Sequence, residues 1–199
     1  MRATAADAPA ADGRVRRAQR SGQAIVEALM ELVGSGVLEP TAQQVAERAG
    51  VGIRTVFRRF SDMESLFAEM DARLQAEAVP ILVGGRPDGS LTERVRGLIR
   101  QRVTFFERIA PYKRSGNRKR WRSPFLRERH ALLGRALRAD LVRWLPELER
   151  ASAATMDALD LVTSFEAWDQ LRSEQGLGTG RAQAAVERAA LTLVDELQR

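Results

Sequence analysis

The sequence has no cysteine, a single histidine (His130), a single tyrosine (Tyr112) and only two lysines, Lys113 and Lys119. Without a thiol there is no disulfide scaffold, no thiolate zinc site and no cysteine nucleophile. One histidine excludes a multi-histidine metal site, and a Ser-His-Asp arrangement would have to be built on His130 alone. No apolar run is long enough for a signal peptide or a membrane span, so the expected compartment is the cytoplasm, with no membrane partner. Period-2 alternation of useful length is missing too, which argues against a sheet. No metal, cofactor or catalytic residue is expected. The enzymatic option left is carboxylate chemistry, and no motif suggests a substrate for it.

What the chain does have is helix signal and arginine. Its 199 residues are 44% hydrophobic, enough for a packed core, and 32 basic against 26 acidic residues give a net charge of +6. The charge is uneven along the chain: residues 1–78 sum to −1, residues 79–150 to +11 and residues 151–199 to −4. Residues 1–20 are Ala-rich and carry Arg14, Arg16, Arg17 and Arg20; they are expected to form a disordered basic tail, either solvated or touching an anionic partner. From Gln23 to Gly34, Ile25, Ala28, Leu29, Leu32 and Val33 recur at helical spacing. Thr41 with Gln44, Ser61 with Glu64 and Ser90 with Glu93 each match a capping box that opens a helix. Pro80 and the run 84–89 break the pattern between the two halves of the chain. Further helices are expected over Leu91–Ile109, a short piece near Pro111–Lys119, then Pro124–Trp144, Pro146–Glu174 and Arg181–Gln198.

Residues 41–60 read as two short helices meeting at a tight turn. Val45, Ala46, Ala49, Val51 and Val56 form a small inner face, and Gly50 suits positive φ at the turn. The second helix then presents Gly52, Ile53, Arg54, Thr55, Phe57, Arg58 and Arg59 outward, as a reader of the DNA major groove does. The bland alternative is an αα-corner in a helical domain.

The stretch from Ile25 to Leu66 resembles the DNA-binding domain of the TetR family of transcriptional regulators. The resemblance rests on Ile25, Ala28 and Leu32, on Thr41, Val45-Ala46, Ala49-Gly50-Val51, on Thr55-Val56-Phe57 and Phe60, and on Glu64 and Leu66-Phe67. It implies an all-α fold: a three-helix helix-turn-helix domain over 21–68, followed over 69–199 by a larger helical bundle for ligand binding and dimerisation. It implies a repressor that binds a palindromic double-stranded DNA operator through Thr41, Gln43 and Gly52–Arg59. The chain departs from the family at Phe57, Gly52 and Met63, where Tyr, Ser or Thr, and Lys are usual and resemble phosphate contacts; Arg54, Arg58, Arg59 and the Arg14–Arg20 arm are the candidate replacements.

The resemblance also implies an unknown small-molecule effector in an apolar pocket with a few polar groups. The candidates are Phe105, Tyr112, Trp121, Phe125, His130, Phe165, Trp168 and Asp169, with Arg102 and Glu166 as further polar candidates; most of the aromatics can equally be core. The last two helices carry Leu159, Val162, Phe165, Glu166 and Leu171, and Ala182, Ala185, Val186, Ala189, Ala190, Leu193, Val194 and Leu197, a broad stripe expected to make a homodimer interface or to be buried within one subunit. The segment 113–122 has six cations in ten residues and no acid. It reads as a solvated loop, an anion-facing pocket mouth or a source of non-specific attraction to nucleic acid, and it is set apart from the sequence-reading contacts. A non-sequence-specific nucleic-acid-binding protein is the alternative function.

Overall fold

A computed structural model describes the backbone of residues 8–195 and the side chains of residues 19–195. The described residues are helical, with no strand: α1 (Ala8–Gly34), α2 (Ala42–Arg48), α3 (Ile53–Arg59), α4 (Met63–Val83), α5 (Leu91–Lys119), α6 (Pro124–Trp144), α7 (Ala153–Val162), α8 (Phe165–Asp169) and α9 (Thr179–Val194). A 3-10 turn at Pro146–Arg150 precedes α7, and a π-turn at Gln170–Glu174 follows α8.

Several boundaries differ from those read in the sequence. The segment expected as a disordered tail is helix from Ala8 onward. Ala8, Ala10, Ala11 and Ala18 with interspersed arginines have high helix propensity and carry α1 back from Gln23 against the penalties of Gly13 and Gly22, with Pro9 tolerated in the first turn. The side chains of Arg14, Arg16 and Arg17, and residues 1–7 and 196–199, lie outside the described residues. Pro80 and Pro111 do not break helices: α4 runs on to Val83, and α5 continues through Pro111 to Lys119. Each proline removes one backbone hydrogen bond, a loss the packing of the flanking turns outweighs. Ser61 and Glu64 form no capping box. Asp62, one residue on, accepts the Ser65 N–H at 2.7 Å, and its carboxylate is the better acceptor. The expected 146–174 helix is interrupted at Ser152 and Ser164, whose hydroxyls cap new helices by accepting N–H groups at 3.1 Å.

The described residues group into two compact units. Unit 1 takes the chain up to Arg73 and Pro111–Ser123; unit 2 takes Leu74–Ala110 and the chain from Pro124 onward. Unit 1 is organised on α1, whose Ile25, Val26, Ala28, Leu29, Leu32 and Val33 bury against Val45 and Ala46 of α2, Val56 of α3 and Leu66, Phe67 and Met70 of α4. Tyr112 and Val37 pack on the edge of that core, and the buried Ser115 hydroxyl donates to the Leu38 carbonyl at 2.7 Å.

Unit 2 is stitched by arginine as well as by apolar packing. Phe106 meets Phe165 edge-on with ring centroids 5.6 Å apart. Arg102 is buried with its guanidinium donating to the Thr163 carbonyl and hydroxyl, each at 2.7 Å, and to the Leu137 carbonyl. Asp140 faces it at 3.8 Å. Burial pulls the Arg102 pKa down to about 10, although Asp140 and Asp160 push it up. Trp144 presses on Gly97, where an added Cβ would lie 2.5 Å from the ring, so only glycine fits.

Candidate nucleic-acid interface

The helix-turn-helix is built from α2 and α3. Thr41 caps α2 with the full reciprocal box: its hydroxyl accepts from Gln44 N at 3.2 Å and the Gln44 side chain accepts from Thr41 N at 2.9 Å. Gly50 has φ +64, as the turn demands, and the Val51 N–H closes it on the Ala46 carbonyl at 3.0 Å. The inner face matches the sequence reading: Val45, Ala46 and Val56 are buried, Ala49 and Val51 half-buried.

This anchoring leaves the rest of α3 outward. Arg54, Arg58 and Arg59 are exposed, and none of them forms an ion pair with a described residue. Ile53 is 39% and Phe57 49% exposed, though both are large and apolar. On a helix, residues 53 and 57 share one strip and residues 54 and 58 the adjacent one. The exposed face therefore pairs an apolar strip with a cationic strip. A guanidinium suits guanine O6 and N7 or a phosphate, and an apolar side chain suits the thymine methyl. Gly52 is exposed at the N-cap of α3 and supplies no side-chain cap, and Thr55 is half-buried. Gln43 is exposed but donates to Glu47 at 2.7 Å, a bond that any contact of Gln43 with DNA must exchange. Arg48 is paired with Glu31 at 3.3 Å.

The basic segment 113–122, about fifty residues from the motif along the chain, lies within the same compact unit as the helix-turn-helix. The Lys119 ammonium sits 4.8 Å from the Phe67 ring centroid, and the Ser123 hydroxyl donates to the Glu64 carboxylate. The signal that could have placed it is the pattern Tyr112, Ser115, Lys119, one helical face in an otherwise basic stretch.

The effector candidates are divided. Tyr112 and Trp121 belong to unit 1, Tyr112 at the edge of its core and Trp121 67% exposed. The others belong to unit 2, where a small apolar cleft is lined by Ile99, Arg102, Val103, Phe106, Val162, Thr163, Ser164, Trp168 and Val186. Of the named candidates Trp168 and Arg102 line it, the Trp168 indole donating to Glu107 at 2.9 Å, while buried Phe165 and Phe105 pack against Phe106. Half-buried Phe125 is not in the lining. His130 Nδ1 lies 3.9 Å from the Glu166 carboxylate, and Asp169 accepts from Ser173 at 2.8 Å. Of the α9 stripe expected at a dimer interface or within one subunit, Ala182, Val186, Ala190 and Val194 are buried within the chain, where α9 packs on α7, while Ala189 and Leu193 are half-buried, Ala185 is exposed and Leu197 lies outside the described residues; Leu161 of α7 is 66% exposed. Among the described residues no cluster of potential metal ligands occurs, and no helix is long and apolar enough to cross a membrane.

Comparison with known proteins agrees with this geometry. Residues 25–70 match the sequence model of the bacterial regulatory proteins of the tetR family. A transcriptional regulator from Rhodococcus sp. Rha1 superimposes with a TM-score of 0.65 at 19% identity, over 90% of this chain and 96% of that one. A TetR transcriptional regulator from Rhodococcus sp. RHA1 does so with a TM-score of 0.55 at 20% identity, over 88% of this chain and 97% of its own. No curated protein sequence matches significantly.

Proposed function

We propose that this chain, whose residues 25–70 match the model of the tetR family of bacterial regulatory proteins, is a ligand-responsive repressor that binds a palindromic DNA operator as a homodimer. The observation that carries the reading is α3 itself: Val56 holds it on the core while Ile53, Arg54, Phe57 and Arg58 face solvent. In this reading Arg54 and Arg58 contact guanine edges or phosphates, and Ile53 and Phe57 meet thymine methyl groups. Thr41, Gln43, Gly52, Thr55 and Arg59 contact the flanking backbone. Access to chromosomal DNA places this work in the cytoplasm.

A palindrome requires two copies of α3, spaced about one helical turn of DNA apart. The exposed Leu161 strip of α7 and the outer, Ala184-Ala185 side of α9 are the surfaces this reading assigns to the second copy, since the inner stripe is already used. The cleft of unit 2 is the effector site of this reading. The cleft is small and narrow, so in this reading an effector widens it by selecting another conformation. A ligand that prefers a conformation unfit for the operator lowers DNA affinity by that preference alone.

Selection of bound duplexes from a random pool with the purified chain tests the reading. Recovery of a two-fold symmetric sequence is the expected result. Recovery of no consensus from tightly bound DNA would instead favour non-sequence-specific binding, a reading supported by the charge of unit 1.

A further inference from the structure

Unit 1 carries the whole net charge of the protein. Its sequence segments, residues 1–73 and 111–123, hold sixteen basic and ten acidic residues, whereas unit 2 holds sixteen of each. The excess comes from the six cations of 111–123, since residues 1–73 alone balance at ten and ten. These cations are brought onto the helix-turn-helix unit by three anchors: Ser115 on the Leu38 carbonyl, Lys119 over the Phe67 ring, and Ser123 on the Glu64 carboxylate. Glu64 and Phe67 lie in the first two turns of α4, which begins just after Phe60, the C-cap of α3. The end of α5 and the turn after it are therefore held beside the segment that leaves the recognition helix. Arg118 and Arg122 are exposed there, and the Arg122 guanidinium stacks 4.0 Å from the centroid of the Trp121 ring. Stacking fixes the guanidinium plane in advance, which lowers the entropy lost when it grips an oxyanion.

We infer that the α5–α6 turn, Arg118–Arg122, is a second DNA-contacting surface of this protein, which grips backbone phosphates flanking the base pairs faced by α3. This rests on the DNA-binding reading above. The partner is duplex DNA because the cations share a compact unit with an exposed, arginine-bearing recognition helix, and phosphate contacts of this kind add affinity without reading sequence.

The test uses the full chain and its Arg118→Gln/Arg122→Gln variant. Each is titrated against a duplex selected by the intact protein and against an unrelated duplex, at several salt concentrations. A parallel Arg54→Ala/Arg58→Ala variant reports on α3. Removing two phosphate contacts makes the slope of log affinity against log salt shallower by roughly two, since each contact contributes about 0.9. The loss is equal on both duplexes, the preference for the selected one is kept, and Arg118→Lys/Arg122→Lys restores the slope. An unchanged slope, or a loss confined to the selected duplex, overturns the inference while leaving the function of α3 intact. If the intact chain binds neither duplex, the DNA-binding reading fails and takes this inference with it.

Discussion

The two units use arginine differently. In unit 2 several arginines are paired and act as stitches: Arg94 with Glu147, Arg102 with Asp140 and Thr163, Arg138 with Asp157 and Asp160, Arg143 with Asp140 at 2.7 Å, and Arg172 with Glu107 at 3.0 Å. In unit 1 the core is apolar; Arg48 and Arg73 pair with Glu31 and Glu27 at the surface, while Arg54, Arg58, Arg59, Arg118 and Arg122 project from it. Composition therefore says little about what an arginine does, because a guanidinium opposite a carboxylate on a neighbouring turn is spent on the fold. One that faces water with no acid beside it is available to an anionic partner.

Substitutions can break this contrast, and the largest effect belongs in unit 2. Asp140→Ala leaves the buried Arg102 charge without its carboxylate and should cost about 3–5 kcal/mol in urea unfolding. Arg54→Ala, in unit 1, should change stability by less than about 0.5 kcal/mol in the same measurement, because it removes an exposed side chain. Equal costs would erase the distinction between the units.

Next in size is Gly97→Ala. Its Cβ meets the Trp144 ring, and overpacking of this kind costs about 1–3 kcal/mol by the same unfolding measurement. In unit 1 the counterpart is Gly50→Ala, which forces a side chain into φ +64 and should cost about 1 kcal/mol while weakening DNA binding by moving α3.

Much of unit 1 was legible in the sequence because its signals are local. The Thr41–Gln44 box, the positive φ of Gly50 and the inner face Val45, Ala46, Val56 each lie within a few residues of one another, and all were found where expected. The seat of 111–123 was not legible, because it depends on Ser115 reaching Leu38 and Lys119 reaching Phe67 across long stretches of chain. Chain order put +11 in the middle of the sequence and −1 at the start; folding returns the excess to unit 1. The effector candidates scattered for a similar reason. Aromatic type marks burial but not which core a ring enters, and Tyr112 and Phe165 entered different ones.

Acid loosens carboxylates in both units. Glu147 is held below the usual carboxylate range by its hydrogen bonds from Arg94, and Glu93 by the Ser90 hydroxyl and N–H, both in unit 2. Asp62 in unit 1 is held down by the Ser65 N–H and hydroxyl. Each folded pKa lies below the unfolded one, so the stabilisation is present above the ordinary value, 4.5 for the two glutamates, and is lost as pH falls through the folded value. Glu147→Gln and Glu93→Gln should flatten the decline of the urea midpoint below about pH 4.5. Arg138→Ala breaks only an exposed pair with Asp157 and Asp160 and should leave the urea midpoint nearly unchanged.

The most direct measurement of the central claim is a competition, at physiological salt, between a duplex recovered from the random pool and a shuffled duplex of the same composition. The account predicts that the intact chain prefers the recovered duplex by at least about 10³-fold and that Arg54→Ala/Arg58→Ala removes most of that preference. Equal affinity of the intact chain for the two duplexes would contradict it.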